Sequence, residues 1–263
     1  MFKIIKRYIK IWWMLTKNSF SILLSQRSVL LIFLFGKILR FVFFMAFLFF
    51  LISGAKSLVG YNVNQIIFFF LTFSLVDTMS QFLFREVYRF RPKIVNGDLD
   101  LTLIKPLNPL FTSLLGGADI IDLITIPPLI WLTIHYGILL DPSFISTLLY
   151  LGLIINGIVI AAGFYIAAMA IGVITLEIDH TVMIFRDLET LARFPIDIYK
   201  QPIQNILTYL LPIGIMITFP GKALMGLISP GTIMISFAVG LLFLYASLRF
   251  WNFALKRYTS ASS

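Results

Sequence analysis

From Leu31 to Ser53 the chain reads LIFLFGKILRFVFFMAFLFFLIS, an apolar run interrupted only by Lys37 and Arg40. That length meets the ~20 residues an α-helix needs to cross a hydrocarbon core of about 30 Å. The run is continuous rather than alternating, which selects helices over a membrane barrel. Similar runs recur along the sequence, so water is not the main solvent of this chain. Composition agrees: 59% of the 263 residues are hydrophobic and 13% are charged, where soluble domains carry roughly a quarter of charged residues. The expected class is all-α, a polytopic membrane protein with six transmembrane helices, in which residues 1–263 form a single transmembrane domain.

The formal net charge of +9 raises the question of nucleic acid. The basic residues sit at loop ends beside apolar runs, where the positive-inside bias explains them, so no nucleic-acid partner is expected. The chain has no cysteine, which excludes thiol catalysis, disulfides and thiolate metal sites within it.

Residues 1–24 carry Lys3, Lys6, Arg7, Lys10 and Lys17 spread through the segment, unlike a cleaved signal peptide. Lys3, Arg7, Lys10 and Lys17 share one helical face, while Ile5, Ile9, Trp12 and Leu15 or Thr16 mark the other. That pattern predicts an amphipathic helix lying in the headgroup layer. The first span covers 31–53, where Lys37 and Arg40 either snorkel to the headgroups or line a polar cavity. An outer loop, 54–62, holds Lys56. The second span, 63–84, contains Asp77, for which a partner inside the bundle is expected.

The one charge-dense window in the first two thirds follows, REVYRFRPKIVNGDLDLTLIKPLNPLF over 85–111. Its basic residues place it on the side of the N-terminus. The third span is expected over 112–140, with Asp119 and Asp122 solvated near its end, a kink at Pro127–Pro128, and His135 hydrogen-bonded inside the bundle. A fourth span covers 145–176, where Gly163, Ala167, Ala168 and Gly172 offer a close-packing face. The segment 177–200 is amphipathic: Asp179, Arg186, Glu189 and Arg193 share one arc, and Ile178, Phe185, Leu188, Leu191 and Ala192 lie opposite. Hydropathy alone lays this helix on the membrane surface and makes 203–219 the fifth crossing, since each such charge costs about 2.5–3.5 kcal/mol at a bilayer centre. The last span covers 232–251, and Lys256 and Arg257 return the C-terminus to the cytoplasm.

Catalytic motifs are missing from the sequence. There is no HExxH, no GxSxG elbow, and no GxxxxGK[ST] phosphate-binding loop; Gly116–Gly117 is followed by Ala118–Asp119 and lacks the lysine. The chain is therefore expected to be a non-catalytic membrane subunit without a metal site or a cofactor of its own. Transport, channel formation or scaffolding remain, and an ion-gradient-driven carrier or a non-transporting scaffold is the alternative reading. No convincing internal repeat supports a carrier.

Three sets of residues carry a resemblance. The first is Arg91, then Gly97-Asp98-Leu99-Asp100, the apolar run Leu101–Ile104, Lys105-Pro106 and Asn108-Pro109-Leu110. The second is Gly60-Tyr61-Asn62 with Gln65. The third is Phe194-Pro195 to Tyr199, Leu211-Pro212, and Phe219-Pro220 with Leu224–Gly226. In this order they resemble the permease subunits of bacterial type-2 ATP-binding-cassette exporters, in the six-span drug- and viologen-exporter-like branch. The resemblance implies a multi-pass protein of the bacterial plasma membrane with both termini cytoplasmic. It implies two separate ATP-binding-cassette ATPase subunits that hold the ATP and Mg, and pairing with a second copy or a sister permease.

It also implies that residues 89–105 form a coupling helix docked on the ATPase. Arg89, Arg91, Lys93, Ile94, Val95, Gly97, Asp98, Leu99, Asp100 and Lys105 are the coupling candidates. It makes about 178–194 the fifth span and 195–230 a re-entrant outer segment. Asp77, Asp179, Arg186, Glu189 and Arg193 are then candidates for the translocation path. Asp179 with Arg186, or Glu189 with Arg193, would partly neutralise one another there.

Overall fold

A computed structural model describes residues 2–55 and 57–258; the expected outer-loop residue Lys56 lies outside that range. The described residues are helical, with one isolated bridge between Leu58 and Tyr61 and no strand. Helix α1 spans Phe2–Ser25 and α2 spans Arg27–Ala55. Helix α3, Val63–Phe84, starts in a capping box in which Asn62 accepts from the Gln65 N–H and Gln65 accepts from the Asn62 N–H. Such reciprocal bonds satisfy donors that a helix start would otherwise leave bare in lipid.

After a 3₁₀ turn at Arg85–Arg89 come the short helices α4, Phe90–Val95, and α5, Asp98–Ile104, then α6, Pro109–Leu114. Helix α7 is Ile120–Ile138 and α8 is Phe144–Thr175. Helix α9, Ile178–Thr190, runs on as a 3₁₀ turn to Arg193. Two pieces follow, α10 at Ile203–Leu210 and α11 at Gly214–Leu224, bent by 77° from one another. Helix α12, Pro230–Lys256, completes the described chain.

Five of these helices, α2, α3, α7, α8 and α12, are long and apolar enough to cross a membrane, and the bent α10–α11 pair makes six if it counts as one. Helix α3 is the centre. Every residue from Ile66 to Val76 is buried, and the helix is apolar all round, as a helix surrounded by others must be. Helices α8 and α12 pack along their lengths because small residues let them close. A Cβ on Gly163 would stand 2.7 Å from Phe243, and one on Gly240 would collide with Asn156. Asn156 in turn donates to the Ser236 carbonyl at 2.9 Å. By contrast, α2 is largely unburied along its apolar length, with Leu48 and Ile52 its fully buried side chains.

The third span is shorter than the expected 112–140. Asn108 caps α6 and Asp119 caps α7, so the chain turns between Leu115 and Asp119 instead of running straight. The α7 helix continues through Pro127 and Pro128. His135 stacks on Trp131 at 5.7 Å on the exposed side, where ring contact replaces the interior hydrogen bond that was expected.

Contacts at the two ends of α3 level the other elements. Beyond its C-terminal end, Arg91 meets Asp179 at the start of α9; before its N-terminal end, the Tyr61 hydroxyl donates to Asp197 at 3.0 Å. The segment 179–197 thus runs alongside α3, whose 22 residues reach about 33 Å at 1.5 Å per residue. Asp197 also receives Gln204 at 3.4 Å and Lys222 at 2.7 Å. Both ends of the bent pair therefore meet one carboxylate.

Candidate functional site: a two-lobed cavity and a helical hairpin

Between α2, α3 and α7 lies a cavity of about 300 Å3, at the lower end of the range for ligand sites. Its walls are mainly apolar: Ile38 and Phe41 of α2, Phe70 of α3, and Pro128 and Leu132 of α7. A second lobe of about 290 Å3 adjoins it and is polar, lined by Arg40, Asp77, Arg186, Glu189 and Arg193 among others. Arg40, Phe73, Asp77 and Arg193 line both lobes. The cavity is thus amphipathic along its length, greasy toward α7 and charged toward α9.

Four of the five path candidates, Asp77, Arg186, Glu189 and Arg193, meet at this polar lobe. Asp179 does not; it lies at the start of α9 and pairs with Arg91 at 3.6 Å. The pairings expected within the α9 stripe give way to others. Gln81 donates to Asp77 at 2.6 Å. Arg186 lies over the Tyr88 ring at 5.9 Å, and Arg193 over Phe44 and Phe73 at 5.3 and 5.7 Å. Aromatic faces suit a cation withdrawn from water. Glu189 is 2% exposed and its Oε1 has no hydrogen-bond partner among the described residues. A buried oxygen without a partner is uncommon and calls for a reason.

Lys37 and Arg40 both line the cavity. Lys37 pairs with Asp122 of α7, and Arg85 pairs with Asp119 at 3.1 Å. Asp119 and Asp122 are accordingly buried, not solvated. Sequence reasoning missed them as ion-pair members because their partners lie 85 and 34 positions away, beyond any local pattern. A carboxylate within an otherwise apolar span was the available signal.

The 85–111 window is a small hairpin. Gly97 takes φ +76°, a left-handed conformation that favours glycine, and folds α5 back onto α4. Ile94 and Leu99 are buried, as is Phe90, 5.9 Å from Trp251 of α12. Ile94 and Leu99 are both coupling candidates from the sequence, and both are buried against the apolar core of the bundle. Val95, Leu101 and Ile104 are the exposed apolar residues, beside exposed Arg91, Asp98 and Lys105. Arg89 and Lys93 bind the buried Glu86 carboxylate at 3.3 and 2.6 Å, and Arg89 also donates to Ser19 of α1 at 3.5 Å. Asp100 is half-buried.

Helix α1 lies on this assembly. Tyr8 meets Phe111 at 4.7 Å, Trp12 meets Phe82 at 6.3 Å, and the Ala118 N–H donates to Thr16. Trp12 and Thr16, expected toward lipid, are thereby spent on protein contact; Ile5, Ile9 and Trp13 stay exposed. Two contacts bind the hairpin region to α9: Arg91 with Asp179, and Arg186 over Tyr88, whose hydroxyl sits 3.3 Å from that of Tyr165 in α8. The described residues contain no group of His, Asp and Glu placed to hold a metal ion.

Residues 12–262 match the family model of the ABC-2 family transporter proteins. The chain belongs to this family. No curated protein and no solved structure matches it. As an ABC-2 membrane component it is a multi-pass membrane protein of a transporter, which agrees with its long apolar helices and with the amphipathic cavity between them.

Proposed function

We propose that this ABC-2 protein is the permease subunit of an ATP-driven exporter, working with two separate ATPase chains and a second copy of itself or a sister permease. The ATPases carry the ATP and Mg. The observation behind this reading is the α4–Gly97–α5 hairpin, which offers Val95, Leu101 and Ile104 ringed by Arg91, Asp98 and Lys105. An apolar centre with a charged rim is the form of a protein-docking surface. The hairpin region is also tied to α9, so that a push on it reaches the charged lobe through Arg91–Asp179 and Tyr88–Arg186. Movement of α9 against α2 and α3 then switches the access of the cavity.

In this reading the hairpin end and both termini face the cytoplasm, residues 178–194 with the turn to Tyr199 make the fifth crossing, and 195–230 form a re-entrant outer segment. The shared anchoring of Gln204 and Lys222 on Asp197 supports a segment that enters and leaves on one side. The peripheral α2, apolar and largely unburied, leaves surface for lipid or a second permease.

The test is reconstitution with the ATPase partner. Gly97→Val combined with Asp98→Leu should abolish stimulated ATP hydrolysis and export while membrane insertion is kept; unchanged export rejects the coupling role. A Lys200→Cys variant should react with a membrane-impermeant thiol reagent added from outside; labelling only from inside overturns the topology.

A further inference from the structure

The two lobes differ in chemistry but share a border, and the border is basic. Arg40 and Arg193 line both lobes, and neither forms an ion pair among the described residues. Lys37, the third cation of the apolar lobe, is already held by Asp122. Asp77, the acid at the same border, accepts from the Gln81 amide. Two guanidinium groups without an ion-pair partner, Arg193 resting on the Phe44 and Phe73 rings, thus stand beside one carboxylate, in a bilayer setting where an unpaired charge costs several kcal/mol. The planar fork of a guanidinium fits a carboxylate, phosphate or sulfate in two-point contact.

Beside this border the apolar lobe runs between Ile38, Phe41, Phe70 and Leu132. At about 300 Å3 it has room for one acyl or aromatic tail, not for two. On the other side, Glu189 lines the polar lobe.

We propose that the cavity binds a single-chain amphiphile with an acidic headgroup, the acid lying between Arg40 and Arg193 and the tail filling the lobe between α2 and α7. This names a ligand class for the cavity and rests on reading that cavity as part of the transport path. The ligand is drawn sideways from the membrane, since α2, which forms one wall, is largely unburied along its apolar length.

Binding to the isolated full chain tests this without any ATPase, so its failure is separate from failure of the exporter reading, which shows as loss of the ATPase partner. The purified protein in a neutral sugar detergent is dosed with laurate, or with dodecyltrimethylammonium as the cation of like tail, and bound molecules are counted by native mass spectrometry. Laurate should bind at least tenfold more tightly than the cation. Arg40→Gln with Arg193→Gln should lower laurate affinity by tenfold or more, and Arg40→Lys with Arg193→Lys should retain part of it. Leu132→Trp, which fills the apolar lobe and leaves both arginines in place, should also weaken laurate; it decides the matter if the double glutamine variant does not fold. Equal or tighter binding of the cation, or unchanged laurate binding in the folded variants, overturns the assignment. Stoichiometric displacement of laurate by two-chain phosphatidylglycerol overturns the single-chain assignment.

Discussion

Lys37→Met is the sharpest probe of how this bundle tolerates charge. The change leaves the Asp122 carboxylate, 4% exposed, without its cation. The Oδ2 atom of Asp122 already lacks a hydrogen-bond partner among the described residues, so nothing nearby takes over. Removing one member of a buried pair costs about 3–5 kcal/mol, whereas replacing both by apolar side chains of similar volume is close to neutral. At about 2–4 °C per kcal/mol for chains near this size, Lys37→Met should lower the midpoint of thermal unfolding by roughly 6–20 °C. Asp122→Leu alone should be costly too, because it strands an ammonium beside apolar walls. The double variant Lys37→Met/Asp122→Leu should recover most of the loss. Intrinsic tryptophan fluorescence in a neutral detergent reads all four proteins of the cycle. A single variant that melts within about 2 °C of the parent, or a double variant that melts as low as the worse single, would refute the view that this pair is a committed internal contact.

Other outcomes follow from the same geometry. Gly240→Leu puts a side chain where Asn156 stands and should part α8 from α12 at about 1–3 kcal/mol, seen as a lower melting midpoint with Asn156–Ser236 protection lost in amide exchange. Glu86→Gln removes the charge that holds Arg89 and Lys93; amides of 89–96 should exchange faster while those of α3 do not, and equal rates throughout would contradict the role given to Glu86. The Tyr61 phenol is held above its ordinary range by burial and then by the Asp197 carboxylate. Its contribution is therefore complete below about pH 10, the usual tyrosine value, and is lost as pH climbs further, because the unfolded chain releases a proton that the folded chain retains. Tyr61→Phe should flatten the fall of stability above pH 10, and an unchanged alkaline limb would count against that coupling.

Much of the architecture was legible because hydrophobic run length is a local property. The capping of α3 by Asn62 and Gln65, the small-residue face of α8, and the turn at Gly97 can each be read from a few neighbouring letters. What escaped were the contacts made across the bundle. Asp122 looks solvated when only its neighbours are counted, and it is Lys37, 85 positions earlier, that allows it to be buried. Glu189 falls within a polar arc on a helical wheel, yet the wheel does not show that α2, α3 and α9 close around that arc. Ile94 and Leu99 stand in the coupling segment by sequence, while their burial against the bundle core is set by distant helices. Arg40 was visible as a charge in a span, but only the neighbouring Arg193 gives it a function to share.

Asp197 gathers a phenol from the loop before α3, an amide from the start of the bent pair and an ammonium from its end. A single carboxylate that clasps three separate strands of chain acts as a drawstring. While it is tied, residues 204–222 are held to the start of α3, and in the proposed export cycle any gap for cargo opens away from that knot. Cutting it by Asp197→Asn would free that segment from α3, and under the proposed coupling a valve that answers to the hairpin would become one that leaks.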